Sequence, residues 1–146
     1  MITTSDVLTV ADAEGIVELA LQFRREQGFN PMTVAVLDLG GHPILVKRED
    51  GCGFLRVDIA VGKAKGSLGF QLNSRELAER AIQLPQFMAA VASVTNGPVI
   101  PAAGGVLLVS ADTATVVGAV GVSGDTSDND EACIAFALEN SRFKSV

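Results

Sequence analysis

The first part of the chain carries an amphipathic helical pattern. Thr9 and Asp12 stand three residues apart, as in a capping box. Apolar residues then recur at helical spacing, at Ile16, Leu19, Ala20 and Phe23. The pattern predicts a first helix that ends near Gly28, because glycine is the usual residue just after a helix.

Two pairs of short apolar runs predict two β-hairpins. Residues 32–37 and 44–46 form the first pair, and residues 105–110 and 115–122 form the second. The segments that join the strands within each pair are too short for the crossover that parallel strands require. We therefore expect an antiparallel sheet.

Three further segments predict helices. Small residues at helical spacing across 56–70 indicate a closely packed helix, and Ser74 opens a short one. Pro85 precedes an apolar segment at 87–94, and polar cap candidates at 127–130 begin a C-terminal helix. The order is α-β-β-α-α-(α)-β-β-α, which predicts an α/β fold of the α+β type, with helices packed on the sheet.

The length and hydrophobicity of the chain set its organisation. We expect one domain, 1–146, because 146 residues leave no room for two cores. Hydrophobic residues make up 48% and charged residues 19%, which favours a homo-oligomer with apolar contacts between subunits. No run reaches the roughly 18 apolar residues of a membrane span. With no secretory signal in residues 1–6, we expect the cytoplasm, where Cys52 and Cys133 are core or interface thiols.

The net charge of −6 argues against a nucleic-acid partner, because phosphates repel an acidic protein that lacks a strong basic patch. The densest basic groups, Lys47-Arg48 and Lys63 with Lys65, are diluted by acids or glycines. Seven phenylalanines without tyrosine or tryptophan leave few platforms for stacking bases. We expect a small-molecule ligand instead.

Several motifs along the chain are individually common but stand in a distinctive order. They are VLDLGG at 36–41, REDG at 48–51, IAVGKA at 59–64, GG at 104–105, VGAVGVSG at 117–124 and DNDEA at 128–132. Together they make the chain resemble the GlcG/HbpS-like family over nearly its whole length.

The resemblance implies a profilin-like or PAS-like antiparallel sheet of about five strands flanked by helices. It also implies homo-oligomers, from tetramers to octamers. The family includes haem-binding and haem-degrading proteins, a domain fused to cobalamin adenosyltransferases, and small proteins encoded beside catabolic genes. Fold similarity does not choose among these functions, so a binding module, an enzyme and an accessory partner of another enzyme all stay open.

A haem-binding or tetrapyrrole-binding module would draw on few residues. His42 is the only histidine, so it is the single imidazole candidate for an axial ligand, with an exposed turn residue as the alternative. Arg48 or Lys63 would meet the propionates. The weaker alternative ligands are Met32, Met88, Cys52 and Cys133.

The alternative function is a small catabolic enzyme, an isomerase, lyase or hydrolase of an organic acid. Arg48 would clamp the carboxylate, and Lys63, Asp58 or Glu131 would carry a proton. The competing interpretations are structural: Arg48 in an ion pair that ties its loop to the following helix, and Lys63 with its stem packed and its ammonium in water. Asp58 is poorly spaced to partner Lys63, so a partner would have to come from elsewhere.

Acidic residues cluster where the last helix begins. Asp125, Asp128, Asp130 and Glu131 have the oxygen ligands that a hard cation prefers, but helix capping explains them adequately, and we predict no metal site. Ser123 does not stand in a nucleophile elbow, which argues against a serine hydrolase. The glycines of the same strand predict a close approach by another backbone, a helix or a flat ligand.

Overall fold

The computed structural model describes residues 7–146. Residues 1–6, on which the expectation about a secretory signal rested, lie outside that range. The helices are α1 (Val10–Gln27), α2 (Leu55–Phe70), α3 (Ser74–Gln83), α4 (Pro85–Val91) and α5 (Ser127–Glu139). The strands are β1 (Thr33–Asp38), β2 (Pro43–Arg48), β3 (Gly105–Ser110), β4 (Val116–Ser123) and β5 (Phe143–Lys144). This order confirms the α+β fold.

The strands form one antiparallel sheet in the order β2-β1-β4-β3-β5. Both predicted hairpins are present. The fifth strand, which the resemblance implied and the hydrophobic pattern did not show, is two residues long and pairs with the end of β3. Strands this short carry no alternation that a sequence pattern could reveal.

Helix α1 begins and ends as predicted. The side chain of Thr9 accepts a hydrogen bond from the N–H of Asp12, and the carboxylate of Asp12 accepts one from the N–H of Thr9. Gly28 closes the helix with φ of 70°, a left-handed conformation that glycine adopts without strain. Helix α4 stops at Val91, shorter than the apolar segment suggested.

One face of the sheet packs against α1 and α5. Buried side chains from Ile16 and Leu21 of α1 meet Val34 and Val120 of the sheet and Ile134 of α5. This layer is the main hydrophobic core. No helix within residues 7–146 has the length and hydrophobicity to cross a membrane.

Helix α2 covers the other face and touches the sheet backbone to backbone. A Cβ added at Gly121 would lie 2.0 Å from the carbonyl oxygen of Ala60, and one at Gly105 would lie 2.4 Å from that of Lys63. Glycine is required at both positions because any side chain would push the helix away. The close approach predicted for the glycines of β4 is therefore confirmed, and the backbone that approaches Gly121 is that of α2.

Candidate ligand groove and buried ion pair

An apolar groove lies between the β1–β2 turn, the second half of α2, and α4 with the segment that follows it. We call it the α2–α4 groove, and its volume is about 780 Å³. The residues that line it are Leu39, Gly40, Gly41, His42, Lys65, Leu68, Gly69, Phe70, Phe87, Ala90, Val91, Val94, Thr95, Asn96 and Val99. Phe70 and Phe87 meet edge to face at 6.4 Å between ring centroids. Such a volume and lining suit a small, largely apolar ligand.

His42 stands at this groove on the turn between β1 and β2. Its side chain is 82% exposed, so the predicted turn position is confirmed. Oδ1 of Asp38 accepts hydrogen bonds from the N–H groups of Gly40 and His42 and lies 3.4 Å from Nδ1 of the imidazole. A carboxylate beside Nδ1 favours the tautomer that leaves Nε2 free for a ligand.

Lys65 is the cation of the groove, and the sequence reasoning chose its neighbour Lys63 instead. Nζ of Lys65 donates to the carbonyl oxygen of Asn96 at 3.0 Å. Two residues along a helix turn the side chain by about 200°, so Lys63 and Lys65 point to opposite sides of α2. The buried positions Ala60, Ala64 and Ser67 mark the sheet-facing stripe, which includes Lys63 and excludes Lys65. The helical spacing of these buried positions was the sequence signal that separates Lys63 from Lys65.

Lys63 lies inside the protein. Its Nζ donates to the carbonyl oxygen of Val122 and to Oδ2 of Asp130, both at 2.9 Å. The side chains of Lys63 and Asp130 are 3% and 1% exposed. A Cβ on Gly104 would lie 2.9 Å from this ammonium, so the backbone of Gly104 closes the site. The interpretation of Lys63 as a lysine with its ammonium in water is therefore wrong.

Lys63 is paired with Asp130 and not with Asp58. Burial raises the pKa of the Asp130 carboxyl, while the Lys63 ammonium and a hydrogen bond from the N–H of Asp125 oppose that rise. Lys63 lines neither the α2–α4 groove nor the smaller groove described below. Its predicted roles as proton carrier or propionate partner stay predictions, made for a residue whose ammonium is enclosed.

Arg48 and Asp58 are exposed and make no side-chain hydrogen bond or ion pair with residues 7–146. The ion pair expected of Arg48 is made instead by its neighbour. Glu49 lies 2.9 Å from Nε of Arg24, and it accepts a hydrogen bond from the N–H of Met32. The loop is thus tied to the preceding helix α1. The roles of Arg48 as carboxylate clamp and of Asp58 as proton carrier stay predictions.

Arg56 is a residue that sequence reasoning missed. Its Nη1 donates to Oγ of Ser123 at 3.1 Å, which joins the start of α2 to the end of β4. No sequence motif predicts this contact, because Arg56 and Ser123 lie 67 positions apart.

The acidic residues around the start of α5 bind different residues of the protein. Arg75 of α3 binds Glu131 through Nε at 2.8 Å and Asp128 through Nη2 at 2.6 Å. Asp125 accepts hydrogen bonds from Asn30 and Asn129. Glu131 and Arg75 line a second groove of about 430 Å³. Within residues 7–146, no three potential ligands converge as a metal site requires.

The sequence of the chain matches the model of the haem-degrading protein HbpS-like family over residues 8–139. The chain belongs to this family. The match spans nearly all of the described residues and confirms the resemblance inferred from the order of its motifs. No curated protein sequence matches the chain.

Solved structures agree with this membership. HbpS of Streptomyces reticuli, solved as a double mutant, is 26% identical with a TM-score of 0.79, over 95% of this chain and 90% of that one. Protein ORFY of Klebsiella pneumoniae is 26% identical with a TM-score of 0.80, over 95% and 94%. PduOC in complex with haem is 17% identical with a TM-score of 0.85, over 96% and 99%, a likeness of fold alone.

Proposed function

We propose that this protein binds haem or a closely related tetrapyrrole in the α2–α4 groove, with His42 as the axial ligand. The observation that carries the proposal is that the only imidazole of the chain stands at the rim of this apolar groove. Membership of the haem-degrading protein HbpS-like family and the haem complex of the structurally similar PduOC support it.

The residues that line the α2–α4 groove are suited to haem. Leu68, Phe70, Phe87 and Val91 offer an apolar bed for a flat macrocycle, and an imidazole is a common axial ligand of haem iron. When bound, haem would supply the iron, and the imidazole of His42 would hold it. Asp38 orients His42 by holding the backbone of the turn and facing Nδ1.

Lys65 is the propionate partner in this proposal. Among residues 7–146 its ammonium is bound only to a neutral carbonyl oxygen, that of Asn96, and it lies on the wall of the groove. A propionate would give it a charge-assisted bond that it lacks in the free protein. Arg48 and Lys63 do not line this groove.

The enzyme alternative has weaker geometric support. Arg48 is exposed and free to clamp a carboxylate, but the ammonium of Lys63 is enclosed and Glu131 is bound by Arg75. A proton carrier needs access to its substrate. Activity on organic acids that Arg48→Lys abolishes, with hemin binding unchanged, would favour this alternative.

The proposal also places the protein in the cytoplasm as a homo-oligomer. Exposed apolar side chains such as Phe54 and Ile82, at 74% and 83%, are suited to contacts between subunits. The two cysteines are unpaired, as a reducing compartment would keep them.

The test is an absorbance titration of the purified protein and its His42→Ala variant with hemin. We expect a saturable Soret band in the natural protein, and a weakened, shifted band in the variant that added imidazole restores. A non-saturating, featureless absorbance from folded protein would refute the proposal. A saturable band identical in His42→Ala would refute the role of His42.

Two lysine variants make a matched control. Lys65→Met removes the cation of the groove, and Lys47→Met removes an exposed cation bound to Glu18 on α1, outside the groove. We expect Lys65→Met to weaken hemin binding by about threefold or more, the value of a partly exposed ion pair, and Lys47→Met to leave it unchanged.

A further inference from the structure

Three glycines lie in α2, and the rest of the protein packs against two of them. A Cβ on Gly62 would lie 2.6 Å from the nearest side-chain carbon, and one on Gly66 would lie 2.9 Å from its nearest. Outside its own helix, a Cβ on Gly69 would meet no atom of residues 7–146 within 4 Å. The packing of the described chain therefore requires no glycine at position 69.

The empty side of Gly69 faces the α2–α4 groove. Leu68 and Phe70 both line this groove. Successive side chains around a helix are about 100° apart, so the direction of the Cβ that Gly69 lacks lies between these two residues. Lys65 stands one turn before Gly69 on the same side of α2. This wall of the groove therefore carries a notch at Gly69 and, about 6 Å away along the helix axis, a lysine.

The notch at Gly69 exposes the backbone of α2 to an occupant of the groove. Glycine has no side chain, so a flat ligand can approach the backbone closely there. An unfilled notch leaves its lining without van der Waals partners, and an occupant supplies them. Leu68 and the ring of Phe70 stand on either side. These features suit the face of a flat apolar ring that carries a carboxylate at its edge for Lys65.

We propose that the face of a porphyrin ring lies on Gly69 with one propionate at Lys65, and that this contact is made without iron. The inference rests on the proposed function, since it concerns the same groove and the same class of ligand. His42 stands on another wall, the β1–β2 turn, and recognises the metal. Gly69 and Lys65 recognise the parts that metal-free porphyrins share with haem. The protein therefore takes metal-free porphyrins too, and Gly69 limits the size of the ligand that fits.

A fluorescence titration with protoporphyrin IX, which has no iron, tests the iron-free contact. We expect a saturable rise in porphyrin fluorescence with the natural protein, and the same affinity in His42→Ala. Lys65→Met should weaken this binding about threefold or more, as it weakens the binding of hemin. The readout is binding of the ring alone, so it is separate from the Soret band of the hemin titration.

Substitutions at Gly69 test the notch. Leucine is a good helix former, so Gly69→Leu should keep the circular dichroism of the natural protein. Its side chain occupies the place of the ring, so the affinity for both protoporphyrin IX and hemin should fall about tenfold or more. Gly15→Leu is the matched control, at a glycine of α1 with the same open surroundings but outside the groove, and should leave both affinities unchanged. Gly69→Ala against Gly15→Ala repeats the comparison with the smallest change and should give a smaller loss.

Two results would overturn this proposal alone. One is a Gly69→Leu variant that binds protoporphyrin IX as tightly as Gly15→Leu does. The other is a natural protein that binds hemin but not protoporphyrin IX. Either leaves haem binding through His42 in place. Protoporphyrin IX binding that Gly69→Leu loses, with hemin binding that is identical in His42→Ala, would support the notch and refute the role of His42. A natural protein that binds neither compound would overturn both proposals.

Discussion

The ammonium of Lys63 lies 2.9 Å from the carboxylate of Asp130, and both side chains are buried. Lys63 belongs to α2 and Asp130 to α5, so the pair joins helices on opposite faces of the sheet at the end of β4. Removing two charges from water is costly, and only their mutual attraction and further hydrogen bonds offset that cost. Each residue therefore depends on the other.

Breaking this pair should destabilise the protein strongly. We expect Lys63→Met to lower the free energy of unfolding by about 3–5 kcal/mol, because it leaves a buried carboxylate without its cation. The Lys63→Met/Asp130→Asn double variant should lose less than the sum of the two single variants. Urea denaturation measures both. Lys47→Met breaks an exposed pair with Glu18 and should cost at most about 1 kcal/mol.

The contact between α2 and β4 should not tolerate a methyl group. Gly121→Ala would place a Cβ 2.0 Å from the carbonyl oxygen of Ala60, so the helix must move or the protein must unfold. Gly15→Ala, in the middle of α1 with open space around it, should stabilise the protein by about 0.5–1 kcal/mol. Thermal unfolding compares the two. An equal effect of both substitutions would contradict the described packing.

Asp125 should contribute to acid sensitivity. The hydrogen bond from the N–H of Asn30, with further bonds from Thr126 and Asn129, holds the pKa of its carboxyl below 3.8. A carboxyl whose pKa is lower in the folded than in the unfolded protein adds stability at pH values above its unfolded-state pKa. This stability is lost as the pH falls through its folded-state pKa. Asp125→Asn should lower the free energy of unfolding at pH 7. The difference from the natural protein should become smaller below about pH 4, where the natural protein also loses this contribution. Urea denaturation of the natural protein and of Asp125→Asn across this pH range measures the difference.

The two cysteines should react at different rates. Burial, together with the nearby carboxylate of Asp130, raises the pKa of the Cys133 thiol to about 12, and the side chain is fully enclosed. Cys52 is half-buried and lies 3.4 Å from Oγ1 of Thr33. Titration with a thiol reagent at pH 8 should modify Cys52 alone in the folded protein, and both cysteines in denaturant. Fast modification in Cys52→Ser would contradict this.

Local patterns were sufficient to predict most of the fold. The capping box at Thr9, the glycine at Gly28 and the two short-turned hairpins act over a few residues, so the sequence displays them directly. The two-residue strand β5 could not be predicted from local patterns. It has no periodicity of its own and forms because it pairs with Val109 and Ser110.

The candidate site was harder to predict. His42 was found because it is the only histidine, but Lys63 was preferred over Lys65 by residue type, without following the buried stripe of α2. Asp130 was grouped with its acidic neighbours as a cap, although it is buried and they are exposed or half-buried. Burial of a charge depends on which distant segment covers it, and in this protein that segment includes Gly104.

The direct seating of α2 on the sheet also matters for protein engineering. Gly62 and Gly66 on its outer side are covered less tightly and by side chains, since a Cβ there would lie 2.6 Å from a side-chain carbon of Ile100 and 2.9 Å from one of Leu77. The backbone contacts with the sheet, together with the hydrogen bond from the N–H of Ile100 to the carbonyl oxygen of Gly62, hold α2 in place. The α2–α4 groove can therefore be reshaped at Leu68 or Phe87 for a different ligand while its floor stays in place.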